Sequence, residues 1–237
     1  MPPSFSALAL RGLTPNGRGE AALIVATIVI GILVDQRFQP AGELFVGAWV
    51  WALMLWLMWR RAPEKRFQLT LCLAYATAGE VFLSLVWGLY DYRPGHILLF
   101  VPPGHVVLFL LGLNLARYLP DGAVPWIGRL AALAAALLCL TGLDQISAPM
   151  TVLLLLALAT RRSSRLYCVM FVLALLLELF STWIGNWAWR VEEPIFGLAA
   201  LNPPFAAGAF YCCLDFLVIS TAARLRPLTH VELRPAA

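Results

Sequence analysis

Charged residues are scarce in this chain, 13% of 237, while 61% are hydrophobic and the mean hydropathy is +0.81. That balance excludes a soluble globular domain and indicates an integral membrane protein. Lysine is rarer still: Lys65 stands alone, between apolar runs, which excludes a retinal-type Schiff base inside the membrane. The five cysteines, Cys72, Cys139, Cys168, Cys212 and Cys213, all fall inside apolar segments and offer neither a disulfide framework nor a C-x-x-C metal pattern. No Ser/His/Asp order, nucleophile elbow, phosphate-cradling glycine loop or dinucleotide fingerprint is present. The first twenty residues lack a charged start, an apolar core and a small-residue cleavage site, so the first membrane helix is expected to direct insertion.

What the chain does contain is apolar runs. A bilayer span needs roughly 20 mostly apolar residues, and eight segments approach that length: 19–37, 42–59, 67–90, 97–118, 125–143, 147–160, 166–189 and 198–222, the sixth being short. The expected fold is therefore an all-α polytopic bundle. With both termini cytoplasmic, one side collects Arg11, Arg18, Arg60, Arg61, Lys65, Arg66, Arg117, Arg129, Arg161, Arg162, Arg165, Arg224, Arg226 and Arg234. The other side keeps Arg37, Arg93 and Arg190, and this partition of 14 against 3 covers all 17 basic residues. Short basic clusters between apolar runs fit a membrane of bacterial inner type and exclude nucleic acid as a partner of the +4 net charge.

One stretch of the chain answers another. Glu80-x-Phe82-x-Ser84 matches Glu178-x-Phe180-x-Thr182 at an offset of 98, and each is followed by an aromatic segment, Trp87 to Tyr92 and Gly185 to Trp189. Pro102-Pro103 then matches Pro203-Pro204 at an offset of 101, which also sets Asn114 opposite Asp215 and His105 opposite Ala206. The expected organisation is two parallel four-helix repeats, 1–118 and 119–237, within one membrane domain. Proline is tolerated in a first helical turn and asparagine is a favoured N-cap, so Asn202-Pro203-Pro204 reads as a helix start inside the membrane. Ile195 to Leu201, and by analogy Ile97 to Val101, would then enter without regular helix beside an outward-facing cleft, the alternative being an ordinary proline-kinked span.

Ionisable residues inside spans mark sites or pathways, because each costs at least ~2.5 kcal/mol to insert. Counting helical rise from Tyr90 and Trp189 sets Glu80 and Glu178 roughly 15 Å below the outer end. Asp215 reaches a similar depth from the inner side. Glu178 and Asp215 form the leading acid–base pair, with Glu80 and His105 in support; the alternative is that the two glutamates bridge the halves by hydrogen bonds. Trp183, Asn186, Trp187, Asn202, Tyr211, Trp87 and Asn114 are the expected substrate-binding residues, Trp183 foremost because it stands one turn above Glu178. Interfacial anchoring is the competing explanation for Trp87, Tyr90, Tyr92, Trp183, Trp187 and Trp189. Glu192-Glu193 reads as solvated surface, His96 as interfacial and His230 as part of the tail. The histidine and carboxylate spacing matches no metal motif, so neither metal nor cofactor is expected.

The glutamate, the Trp187-Ala188-Trp189 segment and the proline-bearing helix after it resemble the integral membrane enzymes of carotenoid biosynthesis, the hydratases and the small repeat-built lycopene cyclases. The resemblance covers residues 178–215 and the upstream copy. It implies proton-initiated addition or cyclisation on a polyisoprenoid, with a carboxylic acid as donor and aromatic rings facing the cation. The acidic pair preceded by proline that marks those cyclases is absent; Glu192-Glu193 is followed by Pro194 instead. The expected partner is accordingly a membrane lipid or apolar small molecule. A proton-coupled transporter or lipid-translocating protein stays open, as does a structural subunit with a homo-oligomer or membrane-complex partner.

Overall fold

The computed structural model of the protein describes residues 17–161 and 163–231, with side chains through 225. Arg11, Arg162 and Arg234, and the side chains of Arg226 and His230, lie outside the described residues. Eight α-helices account for most of the rest: α1 Gly17–Arg37, α2 Ala41–Trp59, α3 Pro63–Glu80, α4 Val101–Leu115, α5 Val124–Leu140, α6 Ser147–Ala159, α7 Ser164–Ile184 and α8 Gly208–Val231. The third helix continues as a π-helical turn over Val81–Val86.

Helix ends are set by local chemistry, since the runs are apolar around most of their circumference. Pro63 and Pro102 occupy first turns, where a missing N–H is harmless. Gly185, at φ +90°, ends α7 in the left-handed conformation that only glycine adopts freely.

Among the described residues, six of these helices are long and apolar enough to cross a membrane, against the eight apolar segments counted in the sequence. At 15 and 13 residues, α4 and α6 reach about 22 and 20 Å, short of a hydrocarbon core of about 30 Å. The shortness of α4 follows from its position: every residue from Val106 to Asn114 is buried, with α1, α2, α3 and α7 packed around it. A helix sheathed by other helices has no need to span lipid by itself. The outer surface, by contrast, carries Phe45, Trp59, Leu85, Leu140, Leu176 and Trp183, an apolar exterior suited to lipid.

Alternating helices give the bundle two ends. At the basic end, Arg61 pairs with Glu20, whose Oε1 also accepts from Asn114 Nδ2 at 3.0 Å, and Arg117 Nη2 donates to Asn114 Oδ1 at 2.6 Å. At the opposite end the buried Asp35 accepts from Arg93 Nη2 at 2.9 Å, Asn186 Nδ2 at 2.7 Å and Gln39 Nε2 at 2.7 Å. Here β1, Tyr90–Tyr92, pairs antiparallel with β2, Trp187–Trp189, in the register Tyr90↔Trp189 and Tyr92↔Trp187. We call this the strand end.

The chain between β2 and α8 returns without regular helix, and α8 begins at Gly208, not at Asn202-Pro203-Pro204. The reason lies in what Asn202 does: its Oδ1 accepts from Trp189 N at 2.8 Å and so ties down β2 where a cap was expected. Backbone that is not helical still needs partners. Asp144 and Ser147, at the start of α6, supply them by accepting from Phe205 N at 2.7 Å and Ala206 N at 2.9 Å. The absence of a side chain at Gly208 then lets α8 meet α7: a Cβ there would lie 3.0 Å from both C and Cα of Phe171, and nearer still to its carbonyl oxygen.

Candidate functional site

Glu80 and Glu178 stand near the ends of the third and seventh helices, six residues before Val86 and Ile184. They therefore lie about 9 Å from those ends, not 15 Å. The difference arises because Tyr90 and Trp189 do not extend the helices. After each helix the chain folds back as a strand, and alternation along a strand sends side chains two apart to the same face. Tyr90, Tyr92, Trp187 and Trp189 all turn inward and are buried, while Asp91 and Ala188 face out. Interfacial anchoring is thus overturned for these four rings.

Their polar atoms go to the two carboxylates. Glu80 Oε2 accepts from Tyr90 Oη at 2.8 Å and Tyr92 Oη at 2.5 Å, and Glu80 Oε1 lies 2.8 Å from His105 Nε2. Glu178 Oε2 accepts from Trp187 Nε1 and Trp189 Nε1, both at 2.8 Å, and its Oε1 accepts from Tyr211 Oη at 3.0 Å. Each buried carboxyl group therefore has three hydrogen-bond partners, which leaves neither of its oxygens unsatisfied away from water. The two sets meet where the Tyr211 ring stacks on His105, 4.9 Å between centroids and 25° between planes.

Both carboxylates line one cleft of about 70 Å³. Water needs roughly 10–15 Å³ by this measure, so the space holds a few waters or a short run of hydrocarbon. Ile28, Gly31 and Ile32 of α1, Val46 and Val50 of α2, and Val107 and Leu108 of α4 form its aliphatic side. Glu80, Tyr90, Tyr92, His105, Glu178, Trp187 and Tyr211 form the polar side. Compared with known proteins, the chain matches no family model, no curated protein and no solved structure. The cleft itself is the ground for any functional reading.

The remaining expected residues are dispersed. Asp215 is fully buried in α8 with neither oxygen hydrogen-bonded, and it does not line the cleft. Trp183 is 82% exposed on the apolar exterior, because five residues beyond Glu178 sets it about 140° further round the helix, away from the cleft. Asn186 holds Asp35, Asn202 holds β2, and Asn114 belongs to the basic end. Trp87 Nε1 donates to Glu193, which is buried and also accepts from Ile195 N at 2.8 Å and Phe196 N at 2.6 Å. The solvated-surface reading therefore fails for Glu193, though Glu192 is exposed. Tyr90, Tyr92 and Trp189 are the residues that sequence reasoning missed; their period-two spacing was the signal. Among the described residues, no three His, Cys, Asp or Glu side chains converge on a metal-sized site.

Proposed function

We propose that the protein is an intramembrane enzyme acting on a lipidic, isoprenoid-like substrate by proton transfer between carboxylic acid groups. The observation that carries this is the pairing of Glu80 and Glu178 on one cleft whose other side is aliphatic. Hydrocarbon fits the aliphatic side, and a double bond then faces the polar one. Glu178 delivers a proton to one alkene carbon, forming a C–H bond from the π pair and leaving a cation at the neighbouring carbon. The faces of Tyr90, Tyr92 and Trp187 are suited to stabilise that charge. Loss of a neighbouring proton to the Glu80–His105 pair closes the balance, and the product is a shifted or cyclised alkene.

Incubation of protein-containing membranes with an acyclic polyisoprenoid in deuterated water tests this. Product carrying deuterium is expected from the wild type and none from Glu178→Gln, whose fold should persist; undiminished turnover in that variant would sink the proposal.

On the same reading the chain is two parallel four-helix units, 1–118 and 119–237, supported by the equivalent settings of Glu80 and Glu178 beside paired strands. Both termini are cytoplasmic in a bacterial inner-type membrane, supported by the gathering of Arg60, Arg61, Lys65, Arg66 and Arg117 at the end where α1 begins. A second reading, proton-coupled translocation of an apolar solute, draws on the non-helical return before α8. Its mark would be solute flux in proteoliposomes that follows an imposed pH gradient, with no chemical change in the solute.

A further inference from the structure

His105 has one nitrogen committed and one idle. Phenols can only donate to a carboxylate, so Tyr90 and Tyr92 make Glu80 Oε2 an acceptor, and Oε1 completes the set by accepting from Nε2 of His105. The proton on Nε2 leaves Nδ1 as the remaining polar atom of the ring. Nδ1 is buried and has no hydrogen-bond partner, although the side chain is 10% exposed and lines the cleft. Nor can the ring turn to find one, since rotation would surrender Glu80 and break the stack with Tyr211. A buried polar atom without a partner costs about as much as a lost hydrogen bond, and a purely hydrocarbon occupant would leave it so.

We infer that Nδ1 of His105 is the docking atom for a hydroxyl group carried by the lipidic ligand in the cleft. This rests on reading the cleft as a substrate site, and not on the reaction assigned to it. Glu80 acts here as a positioning residue, fixing the tautomer and the ring plane.

Binding to the purified full chain in detergent, measured by native mass spectrometry, separates the possibilities. The probes are a long-chain prenyl alcohol and the hydrocarbon with hydrogen in place of its hydroxyl. Wild-type protein should prefer the alcohol by about tenfold, the worth of one buried hydrogen bond. His105→Phe, which keeps a ring against Tyr211, should lose that preference while still binding the hydrocarbon. Should His105→Phe fail to fold, His105→Gln, which keeps an N–H for Glu80, must show the same loss. Glu178→Gln should retain the preference even when it has lost turnover, which separates this inference from the proposed reaction. Equal affinities for the two probes in the wild type, or a preference that survives in both His105 variants, would overturn the inference.

Discussion

At the scale of single residues, carboxylates decide most of this molecule, and Glu193 is the one whose protonation can be followed outside the spans. Burial pushes its carboxyl up; the donors Trp87 Nε1, Phe196 N and Ile195 N push it down by more, so it sits below the usual glutamate range. A group lowered in the folded state stabilises fully above its unfolded value, about 4.3, and loses that contribution only as pH falls through the lower folded value. Replacing Glu193 by Gln should therefore lower the thermal midpoint by about 2–4 °C at neutral pH for each kcal/mol lost. The gap from wild type should close below about pH 4, again around the glutamate value. A gap that stays constant with pH would mean that shape, not charge, holds this loop.

At the scale of elements, two close helix approaches invite contrasting substitutions. A Cβ at Gly208 meets main-chain atoms of Phe171, which cannot move without shifting α7, whereas a Cβ at Gly112 meets Sδ and Cγ of Met170, the end of a flexible thioether. Gly208→Ala should cost about 3 kcal/mol or prevent folding, and Gly112→Ala about 1 kcal/mol, by thermal unfolding in detergent. Equal costs would show that α8 can slide on α7. The elements themselves were legible in sequence because apolar runs must be buried or face lipid. Their ends were not: window counting treats Tyr90 and Trp189 as more helix, although Tyr-x-Tyr and Trp-x-Trp repeat with the period of a strand. The start of α8 was misplaced for a related reason, because an asparagine before proline caps a helix only when no strand claims its oxygen. Of the expected residues, Glu80, His105, Glu178, Trp187 and Tyr211, polar positions within apolar segments, line the cleft. Trp183 and Asp215 do not, since depth along a helix says nothing about which way a side chain points.

For the whole molecule, the two ends differ enough in chemistry to be told apart by labelling. With the native cysteines replaced, Thr141→Cys at the strand end should react with a membrane-impermeant maleimide applied to spheroplasts. Arg60→Cys at the basic end should react only after the membrane is opened; both side chains are exposed. The reverse pattern would invert the proposed orientation, and labelling of both sites in intact spheroplasts would contradict the alternation of helices across a bilayer.

The pairing of β1 with β2 carries one more consequence. Three residues on each side fix the register, and a slip by one would rotate every side chain of the moving strand to the opposite face. If β1 slipped, Tyr90 and Tyr92 would swing away from Glu80; if β2 slipped, Trp187 and Trp189 would abandon Glu178. The two acids thus depend on a common latch of backbone hydrogen bonds, closed only after residues near 190 have been synthesised. Glu80 must wait through more than a hundred residues of translation before its surroundings are complete, and the two half-sites mature together or not at all.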